Sequence, residues 1–459
     1  MVMKKIKSVF LFTALGGFLA LNYGFANWSL YLYKLSIPIG HLLSFAALVA
    51  AFSLLKEKRK TTLEFLKEPV IIAWLILSGL SLIHLVHDLP AYGGYAARDA
   101  SFVAEGAFLF LGFLWARSQE DKTLFLRCLG LVFLLTFLYS LTVLWPGGLA
   151  SISPTSGIFQ RIAILGNYSF IYFGLQIGAL FYIIVAPRTM KWPAACLWTL
   201  AILQIGWMFY FQARSSYVTI IVLILLALAL SGLRQALRIT ALHAAGFIAL
   251  LAFASLLYGI WGINLIGSRG EVNPAFYLQH VETINPDNNL PNVSPANWRL
   301  EVWREAVGHW LATPATILVG EGFGRPLTSK QIPGVSLNAG QGQGILVAVR
   351  QPHDIHLTVL ARLGILGFLL WAFINLRIVY LFICSLWKNP KNTFEHALKL
   401  WLFLFYITSM ILASLQPWLE FSYGAIPFYI VLGFSLGILS PHQKIISKEV
   451  YGPKDPARA

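Results

Sequence analysis

The sequence predicts an all-α polytopic membrane protein, with about twelve transmembrane helices and one large hydrophilic loop late in the chain. Hydrophobic residues form 58% of the chain and charged residues only 12%. A soluble domain could not bury that much apolar surface, whereas lipid is itself apolar. The apolar residues are also gathered into runs near the length of roughly 20 that crosses a bilayer.

The apolar runs divide the chain into four regions. Residues 1–262 carry nine predicted helices, 263–355 the hydrophilic loop, 356–440 three more helices, and 441–459 a polar tail. The first run follows two lysines like a signal peptide, but no small-residue cleavage site follows it, so we expect an uncleaved span. The predicted spans lie near 8–27, 36–55, 69–86, 99–116, 124–145, 168–186, 195–212, 215–232, 242–262, 356–384, 396–415 and 421–440.

The net charge of +15 follows the predicted topology. Lysine and arginine concentrate in alternate loops and in the tail, which places both termini in the cytoplasm by the positive-inside rule. No aromatic-basic module of the nucleic-acid-binding type is visible, so we expect no nucleic-acid partner. The three cysteines, Cys128, Cys196 and Cys384, lie inside apolar runs and predict neither a disulfide framework nor a metal site.

Arginines, rather than lysines, dominate the predicted outer side. A guanidinium group binds phosphate or carboxylate with two parallel hydrogen bonds, so the set indicates an anionic ligand there. Contact with lipid headgroups is the alternative for any one of them. The outer arginines are Arg98, Arg161, Arg214, Arg269, Arg299, Arg304, Arg325, Arg350 and Arg362.

Two histidines stand where the hydrophilic loop returns to the membrane. His353 and His356 are predicted to share one face at the start of a helix. The positive end of the helix dipole disfavours imidazolium and keeps a neutral base available, while a bound anion acts in the opposite direction. A pair of interfacial histidines without chemistry is the alternative. A metal site is disfavoured because no third ligand has suitable spacing.

The hydrophilic loop should be partly helical and should contain a glycine-rich turn. Ser294-Pro295 is a helix start, and Thr313-Pro314 marks the end. Arg299 and Trp303 lie four residues apart and therefore on one face. The segment Gly320-Glu-Gly-Phe-Gly-Arg325 follows no strand, so we interpret it as a turn and not as a nucleotide-binding loop.

Three further segments hold ionisable groups at or inside predicted spans. Arg214 is flanked by hydroxyl side chains in Phe211–Tyr217, and Arg161 opens the run from Gln160 to Tyr168. Glu105, with His84, His87 and Asp88 in or near a neighbouring span, forms either a functional group or a polar pair between helices.

Together these segments resemble the O-antigen ligase and O-antigen polymerase superfamily of bacterial envelope glycosyltransferases, over about residues 155–440. The family pattern His-Asn-x-x-Leu-x-x-Leu-x-x-x-Gly-x-x-Gly is matched with aspartate in place of asparagine. Ala213-Arg-Ser215 resembles a family Ser-Arg-Gly segment, and Trp418 to Pro427 resembles the start of the last span. The other matching positions are His353, Asp354, Leu357, Leu360, Gly364 and Gly367, then Arg161 to Asn167, then Arg299, Trp303, Pro314 and Gly320 to Gly324.

The resemblance implies a fold of the membrane-glycosyltransferase (GT-C-like) type in the bacterial inner membrane, with its active site facing the periplasm. The donor would be a glycan on undecaprenyl diphosphate and the acceptor a sugar hydroxyl of lipid A-core. The reaction would be inverting and would use neither metal nor cofactor. On this basis His353 and Arg214 are the candidate catalytic residues. The candidate diphosphate- and glycan-binding residues are Arg161, Arg350, Arg299, Arg98 and His356.

Other functions remain open on the sequence. A polymerase would join lipid-linked repeat units, and we prefer the ligase for its compact layout and single late loop. A branch that glycosylates proteins often carries a soluble C-terminal region, which is not evident here. A transporter could use Glu105 and His84 in a proton relay, but the sequence shows neither inverted repeats nor broken spans. A scaffold would give no reason for outer arginines at span ends.

Overall fold

The computed structural model describes residues 2–22, 29–32, 35–52, 59–144, 155–156, 162–163, 171–267, 270–282, 295–329, 350–391 and 393–440. Helices dominate these residues. They are α1 (Val2–Leu21), α2 (Ile39–Phe52), α3 (Arg59–Leu66), α4 (Pro69–Tyr92), α5 (Gly94–Ala104), α6 (Leu109–Trp115), α7 (Gln119–Ser140), α8 (Ile171–Ile184), α9 (Ala186–Thr189), α10 (Ala194–Tyr210), α11 (Arg214–Ser231), α12 (Leu233–Trp261), α13 (Pro274–Glu282), α14 (Pro295–Trp310), α15 (Pro314–Val319), α16 (Ile355–Lys388), α17 (Phe394–Ala413) and α18 (Ser422–Leu439).

Two very short antiparallel strand pairs interrupt the helical pattern that the sequence predicts. Strand β1 (Ser29–Leu32) pairs with β2 (Leu35–Pro38), and β3 (Thr155–Ser156) pairs with β4 (Ile162–Ala163). Both pairs contain β-branched or aromatic residues, which suit extended backbone. The fold class is nevertheless that of a helical protein.

Seven helices of the described chain are long and apolar enough to cross a membrane. They are α4, α7 with the 3₁₀ turn that follows it, α11, α12, α16, α17 and α18. Shorter apolar helices cover Val9–Leu19, Ile39–Phe52, Ile171–Ile184 and Ala194–Tyr210. The chain is therefore a helical membrane protein. The count of twelve spans stays a prediction.

The last two helices form the centre of the bundle. In α18, 89% of the apolar span is buried within the protein, against 28% in α12. The peripheral helices expose large apolar side chains such as Ile83 and Ile248, as expected where lipid replaces protein as the packing partner. α18 contacts α6 through glycines, because a Cβ at Gly112 or Gly433 would lie within 2 Å of a backbone oxygen of the other helix.

The predicted span at 99–116 is broken. α5 ends at Ala104, a 3₁₀ turn covers Glu105–Phe108, and α6 begins at Leu109. Gly106 in this turn packs directly against the indole of Trp74 on α4, where a Cβ would lie 1.9 Å from the indole nitrogen. The sequence-based expectation of unbroken spans is wrong here, because apolar composition does not reveal a local change of helix type.

A second irregularity kinks α16 at Gly364, which has a φ of 63°. The kink frees the carbonyls of Ala361 and Arg362, and these accept hydrogen bonds from the amides of Glu321 (2.8 Å) and Gly322 (3.0 Å). The glycine-rich turn predicted at 320–325 thus replaces the missing helical hydrogen bonds. These hydrogen bonds attach the loop to the kinked membrane helix.

Replacing Gly364 with alanine should destabilise the protein by more than about 1 kcal/mol, because φ is positive and no neighbour can move away easily. A Cβ there would lie 2.4 Å from the backbone of Leu318. Thermal unfolding in detergent micelles measures the effect. Gly79→Ala is the matched control, since Gly79 lies inside α4 with nothing within 4 Å of a new Cβ. Equal melting temperatures for the two variants would contradict the assignment.

Candidate active site around His353

His353 lies between the helix of the hydrophilic loop and the first turn of α16. It is half-buried, and its backbone has a φ of 56°. This left-handed conformation is uncommon for residues other than glycine and often marks a functional position. The ring packs edge-on against the indole of Trp298, with the ring centroids 5.4 Å apart.

Helix α14 holds this segment in place, and the predicted loop helix is confirmed at Pro295–Trp310. The indole N–H of Trp303 donates a hydrogen bond of 3.0 Å to the carbonyl of Pro352, next to His353. Arg299, one turn earlier on the same face, is close enough for its charge to act on the His353 ring. The spacing of four residues seen in the sequence therefore places both side chains against the same segment.

Burial and positive charge together keep the His353 ring neutral. Burial, and to a smaller extent the neighbouring Arg299 guanidinium, lower the pKa of His353 from 6.5 to about 4. A neutral imidazole can accept a proton, so His353 is available as a base at neutral pH. A phosphate or diphosphate bound near Arg299 would raise this pKa toward the working pH.

Asp354 and His356 have different roles from His353. The Asp354 carboxylate caps α16 and accepts hydrogen bonds from the backbone amides of His356 (2.8 Å) and Leu357 (3.2 Å). The His356 Nδ1 accepts a hydrogen bond of 3.0 Å from the indole N–H of Trp371. The prediction that the two histidines share a helix face is wrong, because His353 precedes the cap and has non-helical φ.

A buried carboxyl group lies next to this segment that the sequence analysis did not single out. Glu420, between α17 and α18, is 2% exposed and accepts a hydrogen bond from the Thr358 hydroxyl in the first turn of α16. Burial raises the pKa of Glu420 to about 8, although the Thr358 hydrogen bond acts against this. Burial therefore favours the protonated form of this carboxyl group. An acidic residue just before a strongly apolar span was the signal for it.

Arg214 is linked to this region indirectly, through its sequence neighbour Ser215 and through pairs of residues that are adjacent in the chain. It is the first residue of α11, and the neighbouring Ser215 hydroxyl lies 3.4 Å from the Tyr172 hydroxyl at the start of α8. Phe173, beside Tyr172, packs on Trp418 with ring centroids 4.5 Å apart. Trp418 lies two residues before Glu420. The starts of α8, α11, α16 and α18 thus meet at one end of the bundle.

The other predicted binding residues divide into two groups. Arg98 and Arg350 do not contact His353 but surround the carboxylate of Asp99 on α5. Arg161 lies outside the described residues. The buried guanidinium of Arg362, on α16, also binds Asp99 at 2.9 Å and donates to the carbonyls of Gly322 (3.0 Å) and Arg325 (2.7 Å).

The ionisable group predicted around Glu105 does not assemble as a unit. Asp88 accepts a hydrogen bond of 2.6 Å from the amide of Phe323 in the glycine-rich turn, and the His84 ring packs near the Phe323 ring. Glu105 instead accepts a hydrogen bond from the Ser422 hydroxyl, at the first residue of α18. Its hydrogen-bond partner therefore lies on α18 and not on α4, the helix that carries His84 and Asp88.

Comparison with known proteins adds no family to this picture, since no protein-family model and no curated protein sequence matches the chain.

Proposed function

We propose that this membrane protein is a glycosyltransferase that moves a glycan from undecaprenyl diphosphate to a sugar hydroxyl of lipid A-core, as an O-antigen ligase does. One observation carries the proposal. His353 is a neutral, half-buried histidine that is held between an arginine-bearing helix and the start of a membrane helix. A base beside a cationic group is what a hydroxyl attacking a phosphate-linked sugar requires.

In the proposed reaction the acceptor hydroxyl oxygen bonds to the anomeric carbon while its proton passes to His353. The bond between that carbon and the diphosphate oxygen breaks, and its electron pair leaves with the diphosphate. Attack from the opposite face inverts the anomeric centre. Negative charge increases on the diphosphate as the bond breaks, so fixed guanidinium groups stabilise the transition state more than the ground state.

The proposal assigns Arg214 to the diphosphate, with Arg161 assisting and Arg299 between the diphosphate and the base. Positive side chains at the starts of membrane helices suit a ligand whose charge lies at the lipid surface. The sequence resemblance and the loop charges support an inner-membrane location, a periplasmic active site and cytoplasmic termini. The break at 105–108 is a feature that transporters share, but the bond from Ser422 to Glu105 does not favour a relay to His84.

Glycan transfer in proteoliposomes tests the proposal. Undecaprenyl-diphosphate-linked glycan is supplied with rough lipopolysaccharide, and separately alone, with EDTA in both reactions. We expect slower-migrating lipopolysaccharide only when the acceptor is present. Longer lipid-linked chains without the acceptor would instead identify a polymerase with the same donor chemistry. If folded protein gives neither product, the assignment as a glycosyltransferase of this kind is overturned.

The pH dependence of glycan transfer should report the protonation of the His353 ring. We expect kcat/KM to fall on the acid side with an apparent pKa of about 4, because His353 must be neutral to accept a proton. In Arg299→Gln this acid limb should move to higher pH, since a charge that disfavours imidazolium is removed.

Arg304→Gln is the matched control for this shift, because Arg304 is exposed on the same helix. It should leave the position of the acid limb unchanged. The position of the limb is compared, rather than the rate, because Arg299 is itself assigned to the substrate. If the acid limb of the pH profile does not move in Arg299→Gln, the claim that the Arg299 charge lowers the pKa of the catalytic base is contradicted.

A further inference from the structure

Three arginines surround the single buried carboxylate of Asp99, which is 1% exposed. Arg362 is fully buried and binds this carboxylate at 2.9 Å. The Arg98 guanidinium lies 2.9 Å from it and that of Arg350 3.8 Å from it. One negative charge therefore faces three positive charges.

Arg362 already neutralises Asp99, because a buried charge requires a partner and Arg362 has no exposure to solvent. Other carboxylates close by have their own partners. Asp88 accepts from the Phe323 amide and contacts His87, while Glu321 pairs with Arg325 (2.7 Å) and His309 (3.0 Å). The charges of Arg98 and Arg350 are thus in excess at this position.

These two guanidinium groups are also accessible. The side chains of Arg98 and Arg350 are 40% and 19% exposed, respectively. Both lie over the ring of Tyr95, at 5.5 Å and 4.2 Å from its centroid, and Tyr95 itself is 55% exposed. The Tyr95 ring therefore makes cation–π contacts with both arginines, near the end of the membrane helix α4.

We infer that Arg98, Arg350 and Tyr95 form a binding site for a phosphate ester, separate from the site around His353. Arg98 donates through Nε and one Nη to Asp99, and Arg350 donates through one Nη to the Gly324 carbonyl. Their remaining N–H groups can donate to phosphate oxygens. The exposed ring offers an apolar surface to the group that carries the phosphate, either the glycerol part of a phospholipid headgroup or a sugar ring. Asp99 positions the two arginines, and Arg362 in turn binds Asp99. The inference does not depend on the proposed transferase activity.

Binding of defined probes to the full-length protein in neutral detergent micelles tests this inference. The probes are glucose 1-phosphate and dioctanoyl phosphatidic acid, and the uncharged controls are glucose and dioctanoylglycerol. We expect at least one phosphate probe to bind, with an affinity that falls as salt is added. If only glucose 1-phosphate binds, the ligand is a phosphorylated glycan. If only dioctanoyl phosphatidic acid binds, the ligand is a phospholipid headgroup. If neither phosphate probe binds, the inference is overturned.

Variants locate the site. Arg98→Gln/Arg350→Gln should weaken binding at least tenfold, and Tyr95→Ala should weaken it while leaving both guanidinium groups in place. Arg304→Gln removes one exposed positive charge elsewhere on the loop and should change nothing. If the double variant does not fold, Arg98→Gln alone gives the result, because this side chain is the more exposed of the two. If the double variant, or Arg98→Gln where the double variant does not fold, binds the phosphate probes with wild-type affinity, the assignment of the site is overturned.

Discussion

Replacing His353 with asparagine should lower the rate of glycan transfer by about 10²–10⁴-fold, which is the range that a positioned general base contributes. Asparagine tolerates the left-handed backbone that this position requires, with its φ of 56°. It can form hydrogen bonds but cannot accept the proton of the acceptor hydroxyl. The measurement is the initial rate of lipopolysaccharide extension in proteoliposomes, with the melting temperature recorded for each variant.

His356→Asn is the control that distinguishes the two histidines of the segment. The His356 Nδ1 accepts a hydrogen bond from Trp371, so this ring is engaged in packing α16. We therefore expect a smaller loss of activity than in His353→Asn. Full transfer activity in His353→Asn together with a large loss in His356→Asn would assign the base to His356 instead.

The membrane helices and the loop helix could be predicted from the sequence because their signals are local. Apolar runs predict the membrane helices because each run must satisfy its own backbone hydrogen bonds inside lipid. Ser294-Pro295 likewise predicts the start of the loop helix, which begins at Pro295. Thr313-Pro314 marks its end only approximately, because α14 stops at Trp310 and Thr313 caps the next helix, α15. These features depend only on residues close together in the sequence.

Features that depend on distant partners were not predicted. The contact between Asp99 and Arg362 joins residues 263 positions apart, and nothing near either residue indicates the other. Glu420 was visible as an acidic residue beside a span, but its partner Thr358 lies on a different helix. The left-handed φ of His353 is likewise not indicated by its neighbours in the sequence. Its partners are distant: Trp298 packs on its ring, and Trp303 donates to the carbonyl of Pro352 before it.

Replacing Asp99 with alanine should destabilise the protein by about 3–5 kcal/mol, because it leaves the fully buried Arg362 guanidinium without its carboxylate. The variant also loses the acceptor for the backbone amide of Gly324, at 3.2 Å. Unfolding by SDS in mixed micelles measures the difference. A change smaller than about 1 kcal/mol, the usual size for an exposed ion pair, would mean that the charge is solvated and not buried.

Arg98→Ala supplies the matched control, since it removes a cation from the same carboxylate while Arg362 remains. The Arg98 side chain is 40% exposed, so we expect a cost of no more than about 1 kcal/mol. The double variant Asp99→Leu/Arg362→Met should recover much of the stability lost in Asp99→Ala, because two apolar side chains need no charge partner. Its recovery should be incomplete, since Arg362 also donates to the carbonyls of Gly322 and Arg325. The stability that the double variant does not recover then measures two losses together: the hydrogen bonds of Arg362 to these carbonyls, and the Asp99 acceptor for the Gly324 amide. Both losses weaken the attachment of the glycine-rich turn to the kinked helix α16.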